Sequence, residues 1–186
     1  MTVVVAAVGL GCIAGLLAGG RLANVSRAKL RSMPLLVAGA LGQAVVTASG
    51  MRGGSGLALV IASYLALAAF AMRNLHLPGM GVVVLGVVLN LAPIALNAGM
   101  PVEGRAIVRA RIATFEEVPS LEFGAKRHLA GPGDHLRTLD DAIPEWITHE
   151  VLSIGDLVLG AGVAAVVVSL LRTGRGRRHA GAVAPG

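Results

Sequence analysis

The stretch HEVLSIGDLVLGAGVAAVVVSLL, residues 149–171, decides how the rest of the chain is read. From Val151 to Leu171 it is apolar apart from Ser153, Asp156 and Ser169. That length matches the ~20 residues an α-helix needs to cross a hydrocarbon core of ~30 Å. An ionised side chain at the centre of such a helix costs roughly 3 kcal/mol even on the lenient insertion scale, so Asp156 calls for a partner.

Four further apolar runs precede it, at about 3–19, 34–50, 56–72 and 79–97. Of the 186 residues 55% are hydrophobic and 14% charged, and the mean hydropathy is +0.76. A soluble domain of this size does not carry that composition. The expected fold is therefore an all-α integral membrane protein with five transmembrane helices and an extracytoplasmic segment, 98–150, between helices 4 and 5. It forms one membrane domain over 1–173, followed by a basic tail, 174–186, expected to be disordered. Gly11, Gly15 and Gly19 recur every four residues in the first run, a spacing that lets helix backbones approach closely.

Orientation follows from Lys and Arg. Arg21, Arg27, Lys29 and Arg31 fall in the first linker, Arg73 after the third run, and Arg172, Arg175, Arg177 and Arg178 at the end. Five spans put all nine on one side, which the positive-inside rule makes cytoplasmic. All ten acidic residues lie between Glu103 and Asp156. The expected arrangement is a multi-pass protein of the cell membrane, N-terminus outside and C-terminus cytoplasmic. The net charge of +6 then faces anionic lipid headgroups, and nucleic acid is excluded as a partner because no basic-aromatic surface motif is present. The single cysteine, Cys12, excludes an internal disulfide and reads as a small buried helix residue. Gln43, in the second run, is expected to hydrogen-bond to a neighbouring helix.

Polar residues concentrate at the outer ends of the last two runs. LNLAPIALNAGMPV, 89–102, carries Asn90 and Asn97 seven apart, on one face if the helix continues, with Pro93 between them. HLRTLDDAIPEW, 135–146, places Asp140 and Asp141 just outside the membrane, and VLSIGDLVLGAG, 151–162, sets Ser153 and Asp156 near the start of the last span. Residues 98–150 are longer than an ordinary connection and contain apolar positions such as Ile107, Ile112, Phe115 and Phe123. A folded cap on the outer membrane face is expected, docked on a cluster of Asn90, Asn97, Gly99, Asp140 or Asp141, Ser153 and Asp156.

Three segments, LNLAPIALNAGMPV, KRHLAGPGDHLRTLDDAIP (126–144) and VLSIGDLVLGAG, resemble in this order the bacterial membrane-protein family called domain of unknown function 5317. The likeness runs over nearly the whole chain. It implies the membrane architecture and carries no activity. A partial resemblance to signal peptidase II, the lipoprotein aspartyl peptidase, rests on Asn97-Ala98-Gly99, Asp141, and Asp156 with Gly162. That family places two further spans between its Asn-x-Gly segment and its first aspartate, whereas none lies between 97 and 141 here. Ser153 also stands where its motif has Asn.

Three readings of Asp156 follow. A structural one makes it a helix N-terminal group that accepts hydrogen bonds and pins the cap, in a protein with a structural or interaction role. A second pairs Asp141 with Asp156 as a catalytic dyad that activates water against a membrane-anchored substrate, with Asn97 orienting the water. A third uses Asn90, Asn97 and Asp156 as a proton or ion relay or a small-ligand pocket. Partners expected are the bilayer and a membrane-anchored substrate or partner helix. No cofactor is implied. His128, His135 and His149 have spacings that match no compact metal-ligand motif, so no metal is expected.

Overall fold

The computed structural model describes residues 2–172; the tail beyond lies outside the described residues. Five long apolar helices form: α1 (Thr2–Leu17), α2 (Met33–Ser49), α3 (Gly53–Arg73), α4 (Met80–Leu96) and, after a segment described below, α6 (Ile154–Arg172). Their bounds lie within about three residues of the apolar runs, because hydrophobicity of this density sets helix extent directly. Two of them, α3 and α6, are long and apolar enough to cross a membrane, while α1, α2 and α4 are apolar but shorter.

The helices pack as a row in the order α1, α6, α4, α3, α2. Thus the last helix in sequence wedges between the first and the fourth. Glycine makes the wedge possible. A Cβ on Gly86 of α4 would collide with the backbone of Leu159, and one on Gly162 of α6 would sit 2.6 Å from the Val83 nitrogen. Asn90 faces Gly155, Gly86 faces Leu159 and Val83 faces Gly162, so the two helices run antiparallel in one continuous register. On the other side of α6, a Cβ on Gly11 would lie 2.8 Å from the Ala164 carbonyl oxygen, and one on Gly15 would meet Leu171. The first two glycines of the four-residue repeat therefore seat α1 on α6. Gly19 lies past the helix end and instead takes the left-handed turn, φ +78°.

Gln43 departs from expectation: its Nε2 is buried with no hydrogen-bond partner among the described residues. Its neighbours Gly39 and Gly42 pack on Leu67 and Ser63 of α3, so the contact between these helices is made by small residues beside the glutamine.

Residues 97–153 form a folded segment, the cap, and it is not wholly helical as the all-α reading expected. Strand β1 (Met100–Val102) pairs in parallel with β2 (Arg127–Leu129), and β3 (Ile143–Glu145) pairs antiparallel with β4 (Glu150–Leu152). A short helix, α5 (Gly104–Arg109), lies between. Strands of three residues give too little periodicity to read from sequence. The cap has its own apolar core of Val102, Ala106, Ile107, Ala110, Val118 and Val151. It is also sunk into the bundle. Ala125 donates its N–H to the Met51 carbonyl, a Cβ on Gly56 would meet the Ala125 Cβ, and Lys126 lies over the ring of Tyr64. Tyr64 is eleven residues into α3, roughly 16 Å from its start. Because α6 begins opposite Asn90, well short of the end of α4, cap strands occupy the space that a longer α6 would fill.

Candidate functional site

The site forms where the cap meets the first turn of α6. Ser153 stands immediately before the helix and Asp156 in its first turn. The Ser153 hydroxyl accepts the Asp156 N–H at 3.0 Å, and Asp156 Oδ2 accepts the Ser153 N–H at 3.1 Å. This is a capping box with aspartate at its third position, in which each residue satisfies an N–H that the helix start leaves free. Asn90 closes the box from α4. Its Nδ2 donates to Asp156 Oδ1 at 2.9 Å, while its Oδ1 accepts from the Ser153 hydroxyl at 2.7 Å. Gly155 admits the amide, since any Cβ there would overlap it. Asn90 and Ser153 are fully buried, and both carboxylate oxygens of Asp156 have partners. The helix dipole adds a further favourable term for a carboxylate at this end.

Above the box lies a second buried aspartate. Asp141 is 1% exposed and its Oδ2 sits 2.7 Å from Arg127 Nη2. The same guanidinium nitrogen donates to the Val151 carbonyl at 3.0 Å, so Arg127 ties β2, Asp141 and β4 together. The Asp141 N–H donates to the Pro101 carbonyl and the Glu103 N–H to the Asp141 carbonyl, which lays the residue beside Val102 as a parallel bridge. Burial pushes the Asp141 carboxyl up to about 6, with Arg127 opposing that rise and Asp156 adding to it. Lys126 is displaced the other way: burial lowers it, Arg127 lowers it further, and the carboxylates of Asp156, Asp141 and Glu150 oppose. Its Nζ lies 5.7 Å from the centre of the Tyr64 ring.

Asp140 and Asp141 both turn inward, to different fates. Asp140 is 2% exposed, and neither of its carboxylate oxygens has a hydrogen-bond partner among the described residues. Burial raises it to about 6, helped by the charges of Asp134 and Glu103 and opposed by Arg137 and His128.

Asn97 lies apart from the cluster. It caps the C-terminus of α4, its N–H still bonded to the Pro93 carbonyl, so it keeps the Asn90 face but lies two turns, roughly 10 Å, farther along, past the start of α6. There it clasps the backbone of one cap residue, donating to the His135 carbonyl at 2.9 Å and accepting the His135 N–H at 2.8 Å. Gly99 lies beside His128, not beside Asp156. Among the described residues, no group of three or more His, Cys, Asp or Glu side chains is placed to hold a metal ion. His128 pairs with Asp134 at 3.0 Å and His149 contacts the Ala110 carbonyl at 2.9 Å. Tyr64, Lys126 and Arg127 were not singled out from sequence. No spacing signal connects them, because they meet only when the cap sinks between α3 and α4.

Fold and site together define a mostly helical protein with helices of membrane-spanning character and a cap rooted in the helix bundle. The chain belongs to the Family of unknown function (DUF5317), which matches residues 27–168 and so takes in every residue of the site. No curated protein and no solved structure matches the chain, and the resemblance to signal peptidase II is not shown.

Proposed function

We propose that this is a five-span protein of the bacterial inner membrane, N-terminus outside and C-terminus cytoplasmic, whose cap is a rigid extracytoplasmic platform with a structural or interaction role. The observation that carries this reading is the closed network of Asn90, Ser153 and Asp156. A carboxylate with both oxygens engaged, in a box that starts a helix, is committed to architecture. Asp141 is paired with Arg127, which joins two strands of the cap, and this favours a structural use of that carboxylate as well.

Membrane placement draws support from the surface. Val5, Leu10, Ile13 and Leu17 of α1 and Leu41 and Val45 of α2 are exposed, so these helices present apolar side chains outward as lipid-facing helices do. The shorter helices measure roughly 24–26 Å at 1.5 Å per residue, and a thin or locally adjusted bilayer accommodates them. Thr2, at the start of α1, donates to Glu150 of the cap at 2.7 Å, which puts that helix end beside the cap, while Arg21, Arg31, Arg73 and Arg172 fall at the opposite helix ends.

Two experiments test this. Cysteine placed at Phe115, in a Cys12→Ala background, should react with a membrane-impermeant maleimide in intact cells, and one placed at His76 should not; the reverse pattern refutes the topology. Asp156→Asn should lower thermal stability in detergent and leave membrane-anchored proteins processed as before. Accumulation of an unprocessed membrane-anchored substrate, at unchanged stability, would instead establish the hydrolase reading.

A further inference from the structure

Between the cap-side ends of α1 and α6 lies a groove of about 340 Å³. Its walls are Val3, Ala6 and Leu10 on one helix and Leu157, Ala161 and Ala164 on the other. Its upper rim is polar: Thr2, and Glu145, Thr148 and Glu150 from the β3–β4 hairpin. The two glutamates are direct cross-strand partners in the antiparallel pair. Like charges opposite one another destabilise a strand pair, and a cation seated between them would relieve that repulsion. Glu145 is anchored as an anion, since the Thr148 hydroxyl and the N–H groups of Thr148 and Ile147 donate to it and hold it below the usual carboxylate range. Glu150 Oε1 accepts from Thr2. Three basic side chains lie around the hairpin: His149 favours the charged form of Glu145, Lys126 interacts with Glu150, and Arg111 lies 5.7 Å from the centre of the Trp146 ring. At the hairpin turn Trp146 and Ile147 are exposed, an aromatic-apolar tip of the kind that settles at a membrane interface.

We propose that this groove binds one phospholipid of the outer leaflet that carries a primary amine headgroup, with an acyl chain between α1 and α6 and the ammonium between Glu145 and Glu150. This rests on the membrane topology proposed above. The complementarity has two parts. An apolar channel opens to the lipid side of both helices and takes a hydrocarbon chain. A facing pair of carboxylates at its upper end takes a cation, and three N–H donors distinguish a primary ammonium from a quaternary one. Anionic headgroups are repelled by the same pair. Bound lipid would also bridge α1, the cap and α6.

The test is native mass spectrometry of the full chain in detergent with phosphatidylethanolamine, phosphatidylcholine or phosphatidylglycerol added in turn. Phosphatidylethanolamine should be retained most and phosphatidylglycerol least. Glu150→Gln, which keeps an acceptor for Thr2, should reduce the preference for the amine over the choline headgroup roughly tenfold, the scale of one charge-assisted hydrogen bond. Ala161→Phe, at an exposed position on the groove wall, should abolish retention of all three. Equal retention of the three lipids, or a preference that neither substitution changes, overturns the proposal. So does a peptide or a lipid-modified protein occupying the groove in place of phospholipid. Failure of the topology shows separately, as protection of the Phe115→Cys thiol in intact cells.

Discussion

Between α4 and α6, glycine lies against backbone: Gly86 against Leu159, Gly162 against Val83. In the cap, side chains hold peptide groups and one another: Asn97 on His135, Arg127 on Val151 and Asp141, Thr148 on Glu145. In the membrane setting proposed above no hydrophobic drive acts between helices, and close backbone approach supplies attraction through packing. The cap, by contrast, is small and must satisfy buried polar groups individually. The two regions should therefore fail differently, the bundle by collision and the cap by orphaned polar atoms.

The largest effect is expected from Gly86→Leu. The added side chain meets the Leu159 backbone, which has no way to give, so α6 cannot seat and folded, monodisperse protein should be lost on size exclusion. Next comes Arg127→Met, which strips Asp141 of its ion pair and the Val151 carbonyl of a donor. Breaking a fully buried pair costs several kcal/mol; with Arg127 38% exposed, roughly 1–3 kcal/mol is expected, read as a lower midpoint of thermal unfolding.

A smaller change of opposite sign is expected at Asp140. Its folded value of about 6 lies above the ordinary carboxylate value of about 4, so folding binds its proton more tightly. The group's contribution is thus most favourable below about pH 4, declines as pH rises to about 6, and is unfavourable and level above that. Asp140→Asn should stabilise the cap by roughly 1–2 kcal/mol at pH 7.5, one pKa unit being about 1.4 kcal/mol, with the gain vanishing near pH 4. Thermal unfolding at the two pH values checks it; a gain independent of pH would assign the effect to shape. Smallest of all is Glu122→Ala. Its ion pair with Arg52 at 2.6 Å is exposed on both sides, and no measurable change in unfolding midpoint is expected.

The contrast also explains what could be read in the sequence. Helix extents were legible because dense runs of Val, Leu and Ala mark them. Asp156 was legible as an anomaly, and the Ser-x-x-Asp spacing of its box stands in the sequence. Asn97 misled because residues seven apart share a face but stand two turns, roughly 10 Å, apart along it, so Asn90 meets Asp156 while Asn97 meets His135 of the cap. The partners Lys126 and Arg127 were not legible. They are contributed by a three-residue strand whose pairing with β1 depends on the whole cap folding first. Nor does composition distinguish Asp140 from Asp141, since a single backbone step gives one an arginine and leaves the other without a hydrogen-bond partner among the described residues.

The Asn90–Asp156 contact joins α4 to the start of α6 and so fixes the root of the cap. A double-mutant cycle with Asn90→Ala, Asp156→Ala and the pair, read by thermal unfolding in one detergent, measures that directly. A coupling of about 1 kcal/mol or more, with each single variant destabilised, is the predicted result. Strictly additive losses would show that the two side chains do not hold each other, and the cap would then be anchored by something else.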